Sequence, residues 1–171
     1  MPATLVFQTH LLLGYVAWLL CFGVYFWPRL KAVDPVSAQR AIATLHSFRF
    51  FGLVFILPGV VGPDLPASFA TPAAYWDLAT SVLAMLALLT ARQRPLFWLF
   101  VAVFNVVGIV DLVRDYAHAM QAGVPSAPGA LGAAYAIPVL YVPLLMITHL
   151  AAFGLMVRAM GKQRGGAALP A

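Results

Sequence analysis

Residues 79–110 read ATSVLAMLALLTARQRPLFWLFVAVFNVVGIV, two apolar runs hinged on Arg92-Gln93-Arg94-Pro95. Extended to Thr71 on one side and His118 on the other, each run is long enough to cross a hydrocarbon core of about 30 Å as a helix. The hinge between them holds two arginines, the residues that mark the cytoplasmic turn of a membrane hairpin. Pro95 suits a first helical turn, where the missing amide has no helical partner to lose.

The same pattern repeats outward from this hairpin. Of the ten Lys and Arg residues, eight fall in three short stretches: Arg29, Lys31 and Arg40; Arg92 and Arg94; Arg158, Lys162 and Arg164. The other two, Arg49 and Arg114, lie within apolar segments. The chain is therefore expected to be all-α, a polytopic integral membrane protein folded as a bundle of five transmembrane helices. The predicted spans are residues 3–27, 41–61, 71–91, 95–118 and 134–160, with residues 161–171 as a disordered cytoplasmic tail. Basic stretches retained inside place the N-terminus outside and the C-terminus in the cytoplasm. The expected location is a bacterial inner membrane.

Composition supports this class. Hydrophobic residues make up 63% of the chain and charged residues 9%, against about 25% charged in a soluble domain. That leaves too few charges to cover a water-facing surface. The net charge of +5 and pI near 9.8 come from loop-end bases that meet anionic lipid headgroups, so membrane lipids are the expected partners and nucleic acid is not. Cys21 is the only cysteine, which excludes an intrachain disulfide. Residues 1–10 contain no Lys or Arg, and no small-residue cleavage site precedes Trp27-Pro28-Arg29. The first run therefore reads as a retained span and not as a secretory signal.

Local signals set the expected boundaries. Ser37 is the expected cap of the second helix, and Pro58-Gly59 its end. Thr71 is the expected cap of the third, with Pro72 at its first position. Pro138 and Pro143 interrupt the fifth, and residues 119–133, rich in Gly, Ala, Pro and Ser, form the longest loop.

Function must be sought in the polar residues within the spans, since each ionisable group there costs on the order of 3 kcal/mol and normally finds a partner. Counted from the loops at about 1.5 Å per residue, they sort into two levels. His46 and Arg49, three apart on one helix face, join His149 at an inner level, where Tyr141 completes a ligand pocket anchored by Arg49. Asp77, Asn105, Asp111, Arg114 and Asp115 form an outer level, within reach of His10, with Arg114 expected to pair with Asp111 or Asp77. Asn105, Gly108 and Asp111 make one small and polar stripe, and Asp77, Thr80, Ser81 and Ala84 another, a pattern that favours close helix contact. In the first span, His10, Gly14, Ala17 and Cys21 line a groove that a neighbouring helix can fill. The histidines are expected to be neutral and to donate to carbonyls freed by Pro138 and Pro143.

Absent motifs narrow the chemistry. The chain contains no Glu, hence no His-Glu zinc helix and no di-iron carboxylate set. It has no Cys/His metal spacing, phosphate loop or nucleophile elbow, and no catalytic or metal-binding residue is assigned. Arg49-Phe50-Phe51-Gly52-Leu53-Val54-Phe55 with Gly59, and Ala74-Tyr75-Trp76-Asp77-Leu78, resemble the opening helices of DoxX-like small membrane proteins. That resemblance transfers no activity and no site residue.

The expected function is to bind, and to translocate or sense, a small amphipathic molecule or lipid in a pocket near the inner leaflet lined by His46, Arg49, Tyr141 and His149. One alternative is a structural or accessory subunit of a larger membrane complex, or a homo-oligomer. Another is a haem-binding redox protein with His46 and His149 as axial ligands.

Overall fold

Proline positions, more than hydrophobicity, decide where the helices of this chain begin, bend and stop. The computed structural model describes the backbone of residues 1–166 and the side chains of residues 1–160. The first helix, α1, runs over Ala3–Ala32, past the predicted end at Trp27. Pro28 would clash with the carbonyl one turn back in a regular α-helix. A single π turn over Phe22–Phe26 widens the helix just ahead of it, and the α-helix resumes with Pro28 in its first turn. Arg29 and Lys31 therefore sit in the last helical turn, where their charge complements the helix dipole.

Helix α2, Pro35–His46, starts six residues before the predicted Ala41. Its cap is Asp34 and not Ser37: the Asp34 carboxylate accepts from the amides of Val36 at 3.0 Å and Ser37 at 3.1 Å. Bonds from the Ser37 side chain, then from the backbone amides, hold the Asp34 carboxyl below its usual range. The cap is therefore fully present at neutral pH and is lost only as pH falls through that lowered value.

Beyond His46 the chain tightens into a 3₁₀ helix, Ser47–Ile56, far longer than the three or four residues usual for this geometry. In a 3₁₀ helix residues three apart lie in line. His46, Arg49, Gly52 and Phe55 thus form one buried row, while Phe48, Phe50 and Phe51 face outward. The second apolar run is consequently not the single α-helix that was predicted.

Helix α3, Ala67–Leu89, begins behind Pro66, so Thr71 is not its cap and Pro72 lies within its second turn. Helix α4 spans Arg94–Gln121, with Pro95 in the first turn as expected. The connection that follows is folded into short 3₁₀ turns, Val124–Ser126 and Pro128–Tyr135. It is tied to the loop after the 3₁₀ row by Gly62 N–H to Ala130 O at 2.8 Å and Ala133 N–H to Val60 O at 3.0 Å. A second π turn, Ile137–Tyr141, accommodates Pro138 and leads into α5, Val142–Gly166. Of the predicted tail, residues 161–166 continue α5 and residues 167–171 lie outside the described residues.

The described residues thus form an all-helical bundle in which four helices are long and apolar enough to cross a membrane. Its outward faces are apolar too: Leu12, Leu20, Val24, Leu89, Val113 and Leu150 are all more than half exposed. A water-soluble monomer rarely shows so extended an apolar exterior. Inside are two apolar layers. One, near the loops after α4, contains Phe7, Phe55, Phe69 and Leu131. The other, near the basic turns, contains Ile42, Phe97, Val101, Phe104 and Leu155. Every strongly buried polar side chain of α3 and α4 falls between these layers.

Helix α1 leans on α5 at one close point. A Cβ on Gly14 would stand 2.1 Å from the carbonyl oxygen of Val139, and Trp18 Nε1 donates to Leu140 O at 2.8 Å. Gly14→Ala should therefore push α1 off the π turn and lower stability by about 1–3 kcal/mol, the usual range for overpacking. Gly23→Ala, where a Cβ meets nothing within 4 Å, serves as the control. Equal thermal unfolding midpoints for the two variants in detergent would contradict this packing.

Candidate functional site

Arg49 is completely buried, and each of its three guanidinium nitrogens has a partner. Nε and Nη2 both meet Asp77 Oδ1 at 2.6 Å. Nη2 also donates to Asp111 Oδ2 at 2.6 Å. Nη1 faces His149 Nε2 at 3.1 Å and Gly108 O at 3.4 Å. Because His149 Nε2 must accept from a guanidinium, its Nδ1 carries the ring proton and donates to Asn105 Oδ1 at 2.8 Å. Asn105 Nδ2 in turn donates to Val101 O at 2.8 Å. His46 Nε2 lies 3.0 Å from Thr148 Oγ1. That hydroxyl is already directed at Leu144 O, so the imidazole is the donor.

Two glycines make room for this network. A Cβ on Gly52 would stand 2.1 Å from Asp77 Oδ2, and one on Gly108 would stand 2.4 Å from His149 Nε2. The 3₁₀ row therefore packs Gly52 directly against the Asp77 carboxylate while Arg49, one turn earlier, holds the same group.

The two predicted levels are one layer. Helix α3 starts at Ala67 and α4 ends at Gln121, so Asp77 and Asp111 each lie roughly 15 Å inside their helix ends. That brings both to the depth of Arg49, so the level of His46, Arg49 and His149 also holds two carboxylates. Arg114 pairs with neither Asp77 nor Asp111, each of which gives one oxygen to Arg49; its guanidinium lies 5.1 Å over the Trp76 ring. His10 does not reach the carboxylates. It is exposed, and its Nδ1 lies 2.7 Å from the Tyr135 hydroxyl. Neither histidine of the buried layer donates to a proline-freed carbonyl; Thr148 and Asn105 take that role.

Of the residues expected to line the ligand pocket, His46, Arg49 and His149 come together. Tyr141 instead bonds to Leu45 O at 3.4 Å and borders an outward groove with Phe48 and Phe51, while the nitrogens of Arg49 are engaged by protein groups. Haem does not fit. The His46 and His149 rings touch, with centroids 4.0 Å apart, which leaves no gap for a macrocycle, and both nitrogens of His149 are engaged.

A cavity of about 190 Å³ opens instead on the other side of Asp77, toward the loop that follows α4. Phe7, Leu11, Phe55, Phe69, Leu112 and Tyr116 wall it, with Asp77 and Asp115 as its acidic groups. Tyr116 Oη is turned to Tyr15 Oη at 3.2 Å, so the cavity receives its ring and not its hydroxyl. The spacing of Phe55 from Arg49 and Gly52 is the sequence signal for this wall, legible only if the helix is read with a period of three.

A family model described as Domain of unknown function (DUF8737) matches residues 6–157. The chain belongs to this family. No curated protein matches it, and no solved structure does. The DUF8737 match takes in the whole Arg49 network and every residue that lines the cavity, so both are built from the family domain itself.

Proposed function

We propose that this DUF8737 protein is a multi-pass protein of a bacterial inner membrane that binds, and translocates or senses, a small amphipathic molecule. Helix α2 and the 3₁₀ helix together climb roughly 38 Å, enough for a fifth crossing of a core of about 30 Å. With the basic turns in the cytoplasm, the N-terminus is outside and the cavity opens in the outer half of the membrane. Because the guanidinium of Arg49 is taken up by protein groups, the proposed binding site is this cavity and not a pocket near the inner leaflet. The observation that carries the reading is the cavity itself: apolar walls with few polar groups are the usual make-up of a small-molecule site.

Ala119 lies on the cavity wall, and Ala119→Phe fills it. Mass spectrometry of protein purified in mild detergent should find a small molecule with the native chain and lose it in Ala119→Phe. Equal retention in a well-folded variant would overturn the reading. An accessory-subunit or homo-oligomer role stands second, supported by the outward groove of Leu45, Phe48, Phe51, Leu140 and Tyr141. A stoichiometric protein partner recovered in the same preparation would favour it.

A further inference from the structure

We infer that the molecule taken by this cavity is a lipophilic cation, a quaternary or protonated amine on an apolar body. The inference rests on the proposed binding role of the cavity and adds the sign of the ligand's charge. Two carboxylates, Asp77 and Asp115, border the space, and no cation of the described residues enters it. Arg49 is shared between Asp77 and Asp111, and each of its guanidinium nitrogens is engaged within the network. Arg114 lies against Trp76.

Asp77 and Asp111 thus share one buried guanidinium, while Asp115 forms no ion pair among the described residues. Asp77 is nine-tenths buried. It gives only Oδ1 to Arg49, and its Oδ2 accepts no hydrogen bond among the described residues. A neutral guest would strip water from these carboxylates without replacing it, and an anionic guest would add repulsion at short range. A cation satisfies them. Phe7, Phe55, Phe69 and Tyr116 line the space and supply the aromatic surroundings that suit a cation on an apolar body.

The test uses the full chain in lipid nanodiscs and two probes of one shape. Benzyltrimethylammonium carries the charge, and neopentylbenzene is its uncharged carbon isostere. Equilibrium dialysis of radiolabelled benzyltrimethylammonium against empty nanodiscs should show saturable binding that excess neopentylbenzene does not displace. Asp115→Asn, at a half-buried position, should weaken that binding about tenfold, and Ala119→Phe should abolish it.

Comparable binding of the isostere overturns the choice of a cation while the cavity's binding role survives. Binding of the ammonium that persists in Ala119→Phe overturns the assignment of the cation to this cavity. Failure of both probes overturns the inference, and retention of the co-purifying molecule then decides separately whether the cavity binds anything. The comparison of the two probes on the native chain needs no variant, so it holds even if Asp115→Asn fails to fold.

Discussion

Arg49→Met should be the most damaging single substitution in this protein, lowering stability by about 3–5 kcal/mol, the usual result of removing one partner from a buried ion pair. The methionine fills most of the space but leaves Asp77 and Asp111 facing each other without a counter-charge, and leaves His149 Nε2 without a donor. Arg49→Lys keeps the charge but brings a compact ammonium that cannot replace the planar fork reaching both carboxylates, so it should fall between the native chain and Arg49→Met.

The loss comes from uncompensated charge and not from lost volume. A triple variant, Arg49→Met with Asp77→Asn and Asp111→Asn, should therefore regain at least half of it. Unfolding midpoints in mixed micelles measure all three. A native-like midpoint for Arg49→Met, or no recovery in the triple variant, would mean that the buried network does not hold the bundle together.

Gly52→Ala should follow closely. In an exposed helix the change from Gly to Ala stabilises by about 1 kcal/mol, but here the sign is opposite. The added methyl would stand 2.6 Å from Asp77 Cβ as well as 2.1 Å from Oδ2. The Cβ is fixed to the α3 backbone, so the 3₁₀ helix and α3 must separate, at a cost of about 1–3 kcal/mol for overpacking plus part of the Arg49 contacts. Gly108→Ala meets the end of the His149 ring at 2.4 Å and Arg49 Nη1 at 2.8 Å, groups that can swing aside. The order expected in thermal unfolding is therefore Gly52→Ala below Gly108→Ala below native. An inverted order would place the strain elsewhere.

Much of the bundle was legible before any coordinates. The hinge Arg92-Gln93-Arg94-Pro95 placed the α3–α4 turn correctly because basic residues and a first-turn proline both act locally. The paired stripes on α3 and α4 also turn inward. Asp77, Thr80, Ser81, Ala84, Asn105 and Asp111 are all buried, because polar and small residues within a span normally face the bundle. Other signals misled. Ser37 and Thr71 are good caps in isolation, yet Asp34-Pro35 and Pro66 act earlier in the chain and start the helices first. Those shifts of four to six residues moved Asp77 and hid its meeting with Arg49.

The sequence by itself determined that the chain is helical, apolar on its exterior and laid out as runs between basic turns, since these follow from composition and from residues acting on their neighbours. It also named nearly all the polar residues that matter. Only the tertiary structure decided how they are joined. Arg49 is claimed by Asp77 and Asp111 because residues 47–56 wind as a 3₁₀ helix, a choice made by packing His46, Arg49, Gly52 and Phe55 in one row against three other helices. The energy of that row lies between segments and not within one, so no local reading of residues 47–56 could find it, nor the cavity that opens beside it.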